Sequence, residues 1–315
     1  MKRFSLVVLF LSLAGLGQTI VAQDTSPASQ SAIGDAASKF KLPYQLTQPD
    51  ATFELPPILV EISGLSLSDC SQRLCAIQDE NGIVFRINKT DGTVEERFEF
   101  WKNGDYEGIE MVGDRIYVVK STGTVYEIIN WGTAQQSVNK FNTFLKKEND
   151  VEGLAYDAKN HALLIACKGI PATGESFEVA RLKKVIYSFD LNKKELDFTP
   201  RFEISLTDIH SFLNTCPLEK NIEKLISFFK PDQNLTFSPS ALAIHPISGN
   251  IYILSSSKKI IIVLNARGEI IHIDRLDKKI HRQPEGLAFD KDGTLYLSNE
   301  GKKGKACIHR FAFHQ

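Results

Sequence analysis

Five times along this chain a small residue, preceded by Ser or Glu and followed by Leu or Ile, opens a short apolar run: EISGL, DYEGI, DVEGL, SPSAL and QPEGL. The small residue is Gly64, Gly108, Gly153, Ala241 or Gly286, and the separations are 44, 45, 88 and 45 residues. A period in the forties, with several short strands in each copy, is the signature of a β-propeller. The fold class expected is therefore all-β.

Within each copy, β-branched and aromatic runs alternate with turn signals and give four strands, A to D. The first copy reads ILVEISGLSL, LCAIQ, IVFRIN and VEERFEF, and the fifth reads GLAFD, TLYLSNE and ACIHRFAF before the chain stops one strand short. The run ATFELPP, upstream of the first copy, resembles the D strands RFEFW and PRFEIS. Placed beside Ala306 to Phe313, it would complete the last blade and remove the exposed edge of an open array. The double spacing between Gly153 and Ala241 could hold a sixth blade. Five blades are preferred, because that interval contains 16 residues of loop within the third copy and then a helical stretch. From about residue 205 to 231, Ile209, Phe212 and Leu213, then Ile222, Leu225, Ile226 and Phe229, recur at helical spacing. This predicts a small helical insert between blades 3 and 4, either packed on the propeller or lying over a site.

Lys2 and Arg3 precede an apolar run from Phe4 to Leu16, followed by small residues, with cleavage expected between Ala22 and Asp24. Residues 1–23 thus read as a signal peptide, residues 24–41 as a flexible leader, and residues 42–315 as the propeller domain. No second long apolar run follows, so the mature chain is expected to be a soluble monomer, exported to the periplasm or beyond. In that oxidising setting Cys70 and Cys75 could pair across a hairpin, or could be two independent buried thiols. Cys167, Cys216 and Cys307 lack the spacing of a zinc site. A formal net charge of −1 gives no support to a nucleic-acid or polybasic membrane role. NKT at Asn88 and NLT at Asn234 match glycosylation acceptors.

In a propeller, strand A lies nearest the axis, and the D-to-A connections share a face with the B-to-C loops. The residue before each small residue, Ser63, Glu107, Glu152, Ser240 or Glu285, is therefore expected near the channel mouth on that face. Two carboxylates about 6 Å apart repel by roughly 3 kcal/mol at an effective dielectric near 20, so this ring needs a cation, basic partners or protonation. The ends of strand B add Gln78, Asp79 and Glu80, Lys120, Lys168, Ser255 and Ser256, and Asn299 and Glu300. In one reading these oxygens hold Ca²⁺ or Mg²⁺, with Glu107, Glu152 and Glu285 as primary ligands and Ser63, Asp79, Glu80, Lys120, Lys168, Ser240, Asn299 and Glu300 as the outer ring. In the other, Lys120 and Lys168 neutralise the carboxylates and nothing binds. His245, His272, His281, His309 and His314 fall on outer strands or turns, where packing or surface roles are expected. No nucleophile elbow, P-loop or H-E-x-x-H motif is present. The catalytic residues, if any, are not assigned.

The series S-G-L, E-G-I, E-G-L, S-A-L and E-G-L, together with AIQDENG after the first opening and LYLSNEG after the last, resembles the SdiA-regulated domain family of bacterial secreted or envelope proteins. The likeness runs from Ala51 to Phe313. It implies a five-bladed propeller and an exported location, and it implies no particular reaction. Carried over by position, Ser63, Glu107, Glu152, Ser240 and Glu285 form the channel ring. The departures are Ala241 where Gly is usual, Lys168-Gly169 where a more acidic turn is usual, and the helical insert. The leading expectation is an exported propeller that binds a divalent cation, with a small or extended ligand, at the acidic top of its channel. The alternatives are a metal-dependent hydrolase of esterase, lactonase or phosphoesterase type, and a protein-interaction platform built on the insert.

Overall fold

The computed structural model describes residues 40–68, 72–215, 225–229, 235–302 and 304–314. The expected signal peptide, all but two residues of the expected leader, and Cys70, Cys216 and Asn234 lie outside the described residues. The described chain forms five antiparallel sheets arranged as the blades of a ring. Their inner strands are Ile62–Leu67, Tyr106–Val112, Val151–Asp157, Ala241–Ile244 and Pro284–Phe289, and each lies against the inner strands of the blades on either side. The second strand of each blade is sandwiched between neighbouring blades and reads as an almost unbroken apolar run. Ala162–Cys167 (ALLIAC), for example, is buried at every position. The outermost strands face water on one side, and Val94–Glu99 (VEERFE) is accordingly charged and exposed.

Ring closure follows the expected route. Ala51–Glu54 pairs antiparallel with Cys307–Phe311, in a register running from Ala51 opposite Arg310 to Glu54 opposite Cys307. The Asp50 and Leu55 backbone N–H groups extend the ladder to Arg310 O and Ala306 O, both at 2.9 Å. The first of the described strands thus completes the last blade and covers the sheet edge that Cys307–Phe311 would otherwise expose. Residues just before this strand add a further tie: Tyr44 and Leu46 are buried against blades 4 and 5, and Tyr44 Oη donates to Gly293 O at 2.7 Å.

Blade 3 departs from the simple pattern. Its outer position is shared by Glu195–Leu196 and Phe202–Ser205, which pair with opposite ends of Lys183–Asp190. The residues between them loop outward and stack Phe198 on Phe144, with ring centroids 4.8 Å apart. The loop within this blade carries a short helix, α1 (Phe177–Ala180), where the sequence predicted loop alone. Directly after the outer strand comes α2 (Leu206–Thr215). Ser205 and Asp208 cap it reciprocally: the Asp208 N–H donates to Ser205 Oγ at 3.1 Å, and the Ser205 N–H donates to Asp208 Oδ2 at 3.0 Å. Its apolar face, Ile209, Phe212 and Leu213, joins Leu225 and Phe229 in the core that blade 4 builds from Ile253, Ile262 and Ile273. The insert is therefore part of the hydrophobic core between blades 3 and 4. Among the described residues no helix is long and apolar enough to cross a membrane.

Candidate functional site

Each of the four Glu-Gly or Ser-Gly openings contains a β-bulge. Register shifts between the inner and second strands fall at Ile62/Gly64, Tyr106/Gly108, Val151/Gly153 and Pro284/Gly286. The extra residue in each is Ser63, Glu107, Glu152 or Glu285. A bulge leaves one residue without a cross-strand partner and re-aims its side chain. The carboxylates are thereby set at the channel mouth. Blade 4 has no such shift; Ser240 precedes its strand and its backbone N–H donates to Leu254 O.

The adjoining glycine has a separate cause. A methyl group on Gly64 would come within 2.9 Å of the Ile109 backbone nitrogen, and at Gly108, Gly153 and Gly286 it would likewise strike Leu154, Leu242 or Leu65 of the next inner strand. Close approach of neighbouring blades excludes a larger residue. The third motif position then fills the axis. Leu65, Ile109, Leu154, Leu242 and Leu287 are at most 5% exposed, and the cavity they line with the three glutamates is about 10 Å³, room for about one water. Leu65 and Leu287 also line a cavity of about 130 Å³ on the other side of this layer. The channel is stoppered, so a ligand at the acidic end meets the mouth and not the bore.

Backbone hydrogen bonds knit the rim together. The Asp79, Ser121, Lys168 and Glu300 N–H groups donate to Glu61, Asp105, Asp150 and Gln283 carbonyls, tying the end of each second strand to the entry of the inner one. Tyr106 N–H and Val151 N–H cross between blades to Asp79 O and Ser121 O.

Glu107 accepts a hydrogen bond from Ser63 Oγ at 2.9 Å, and Lys168 Nζ sits on Glu152 Oε1 at 2.5 Å with Asp150 at 3.9 Å. Among the described residues, Lys168 is the one ammonium ion-paired with a ring carboxylate. Lys120 instead lies over the Tyr106 ring, 5.7 Å from its centroid. Burial raises the pKa of Glu107, and the neighbouring Glu152 raises it further. Burial raises Glu152 as well, against the pull of Lys168. Glu285 is pushed up to about 7, first by burial and then by Glu300. Burial opposes the charge on Lys168, but Glu152 overcomes it and holds the ammonium above its usual range. Full ionisation would give the ring more negative charge than its one cation offsets, and the raised pKa values answer this by favouring protonated carboxyls.

The outer residues divide. Asp79 is pushed up to about 6 by burial and by Glu61 and Glu80, and its Oδ1 is buried without a hydrogen-bond partner. Glu80 is exposed, and its backbone N–H donates to Gln78 Oε1 at 2.6 Å. Ser240 Oγ donates to Pro284 O at 3.0 Å and accepts from the Ser256 N–H at 3.1 Å, bracing blade 4 against blade 5. Asn299 and Glu300 line a different cavity, of about 310 Å³, shared with Arg282, Cys307 and His309. Among the described residues no three acidic, His or Cys side chains are grouped closely enough to hold a metal ion as they stand. Two of the histidines serve packing: His245 sits among Tyr44, Tyr252, Phe289 and Phe313, and His281 hydrogen-bonds Leu46 O at 2.8 Å.

Sequence reasoning missed Glu110. It lies beyond the aliphatic layer, accepts from Ser66 Oγ at 2.9 Å, and is pushed up to about 7 by burial. Its signal was present in the sequence, since Ser66 and Glu110 repeat the 44-residue relation of Ser63 and Glu107. Lys184 was also missed. It is buried, donates to Gly169 O at 3.1 Å and to Lys168 O, and so holds the turn that carries Lys168.

A family model described as SdiA-regulated matches residues 41–213 and 204–302. Among solved structures, glutaminyl cyclase from Myxococcus xanthus is 9% identical, with 85% of this chain and 96% of that one covered and a TM-score of 0.54. A luciferin-regenerating enzyme is 9% identical over 84% and 95% of the two chains, with a TM-score of 0.46. A protein of unknown function from Bacteroides thetaiotaomicron is 15% identical over 79% and 54%, with a TM-score of 0.45. Identities this low speak to fold alone. No curated protein matches the chain by sequence.

Proposed function

Because the chain belongs to the SdiA-regulated family and folds as a five-bladed propeller with a stoppered, acidic channel mouth, we propose that it is an exported binding protein that takes a cation at that mouth. The observation that carries this reading is the seat of Lys168: one ammonium, on Glu152, serves three inward carboxylates. That arrangement marks where positive charge is held and leaves Glu107 and Glu285 without an ion-pair partner among the described residues. A divalent ion such as Ca²⁺ or Mg²⁺, entering from solvent, would draw Glu107 and Glu285 together and compete with Lys168 for Glu152. Hard oxygen donors suit those ions. Asp79 and Glu80 lie on the same rim and would meet a small or extended ligand bridging outward from the ion. Export rests on Lys2, Arg3 and the apolar run from Phe4 to Leu16.

The test is a thermal melt of the mature protein after exhaustive chelation, then with Ca²⁺ or Mg²⁺ restored. An ion at 100 times its dissociation constant stabilises by about 2.7 kcal/mol, which raises the melting temperature by roughly a few degrees. The shift should vanish in the Glu107→Gln, Glu152→Gln, Glu285→Gln triple variant. A melt indifferent to both ions overturns the proposal.

A further inference from the structure

A second cavity, of about 600 Å³, opens between the helical insert and blade 4 and is strongly basic. Phe228 from the insert forms its apolar wall, facing Lys258 and Lys259 from the turn after the second strand and Arg275 and Lys278 from the end of the outer strand. Lys258 Nζ and Arg275 Cζ flank the Phe228 ring at 5.7 and 5.4 Å from its centroid. None of these four cations is ion-paired among the described residues. Among the described residues the one acid lining the cavity, Asp274, accepts from the Arg275 backbone N–H at 2.7 Å. Lys259 Nζ donates to Ser256 O at 2.8 Å, and burial together with nearby Lys302 makes its charge harder to hold.

We propose that this cavity binds a small phosphorylated molecule with an apolar portion. Four cations line one concave site with no ion-pair partner among the described residues, and a dianion can answer several of them at once. Arg275 offers a planar fork for two phosphate oxygens, while Lys258, Lys259 and Lys278 act as point charges. Phe228, with Leu225 and Leu276 in the same lining, supplies an apolar wall on which an organic portion can pack, and the volume suits a compact organic ligand. The insert has a purpose in this account, since it contributes the aromatic wall that the blades lack. The site adjoins the acidic mouth, since Glu285 and Glu300 act on Lys259, but it does not depend on the reading given to that mouth.

The full mature chain is titrated calorimetrically with phenyl phosphate, with inorganic phosphate and, in a third arm, with vesicles of phosphatidylglycerol. Phenyl phosphate should bind at least tenfold more tightly than inorganic phosphate, and both should weaken as salt is raised. Lys259→Ala with Arg275→Ala should cut both affinities at least tenfold, and Phe228→Ser, which breaks the apolar wall, should remove the preference for the phenyl compound. Unchanged affinities in folded Lys259→Ala, Arg275→Ala protein, or binding to vesicles and to neither soluble phosphate, would overturn the proposal. The Glu107→Gln, Glu152→Gln double variant, which leaves Glu285 in place near Lys259, should bind phenyl phosphate as the parent does, which separates this outcome from that of the channel test.

Discussion

Two buried carboxylate sites in this molecule are built in opposite ways. Glu127, on the third strand of blade 2, is 2% exposed and fully matched: Arg115 Nη1, Lys194 Nζ and Tyr117 Oη each donate to Oε1 at 2.7 Å, and Asn139 Nδ2 donates to Oε2 at 2.9 Å. Burial alone would raise its pKa, but those partners hold it down to about 2. Glu152 and Glu285 at the channel mouth are nearly as buried, at 7% and 8% exposed, yet Glu285 is pushed up to about 7 and Glu152 also rises despite Lys168. A structural carboxylate arrives with its counter-charges already placed by the same and neighbouring blades. The ring carboxylates share one, and the missing charge is what a ligand can bring.

The largest test of that contrast is Glu127→Ala. Removing the acceptor strands its donors and should destabilise the fold by about 3 kcal/mol at pH 7, read by chemical denaturation. A loss no greater than that of an exposed surface substitution would make the two sites equivalent. Next comes Lys168→Met, which deprives Glu152 of its counter-ion and should cost about 2 kcal/mol at pH 8. Adding Glu152→Gln should restore most of the loss, and simple additivity of the two changes would break the pairing inferred here.

The smallest effect concerns pH, where the two sites should have slopes of opposite sign. Glu127 has a folded pKa below its ordinary 4.5, so its contribution is present above about 4.5 and is lost as pH falls toward about 2. For Glu285 the folded pKa is raised, so its contribution is present below about 4.5 and is lost as pH rises through about 7. In chelated protein, Glu285→Gln should flatten the loss between pH 4.5 and 7 by roughly 1 kcal/mol, allowing for screening at the open mouth. An unaltered slope would mean that the ring carboxylates are compensated after all.

Much of this was legible in the sequence because a propeller repeats a local rule. The small residue recurs because adjacent inner strands approach too closely for more; the period, with the loop and helical stretch in its double interval, led to five blades, and the likeness of ATFELPP to other outer strands led to the closing strand at Ala51–Glu54. Periodicity also found the insert, whose Ile209, Phe212 and Leu213 are indeed buried. The Glu and Ser positions were found for the same reason, although the bulges that aim four of them were not. A bulge is a mismatch between two strands, and one strand's residues do not reveal it.

What sequence alone determined is the repeat, the order of the strands and the residues that line the mouth, all of which follow from side-chain pattern along a single chain. Tertiary structure decided the rest. It placed Lys168 on Glu152 and Lys120 on Tyr106, gave Asn299 and Glu300 to another cavity, and assembled the Lys258, Lys259, Arg275 and Lys278 cluster around Phe228. Charges interact through space at a few ångströms, and the blades bring together residues tens of positions apart. Which cation meets which carboxylate is therefore settled only when the ring closes.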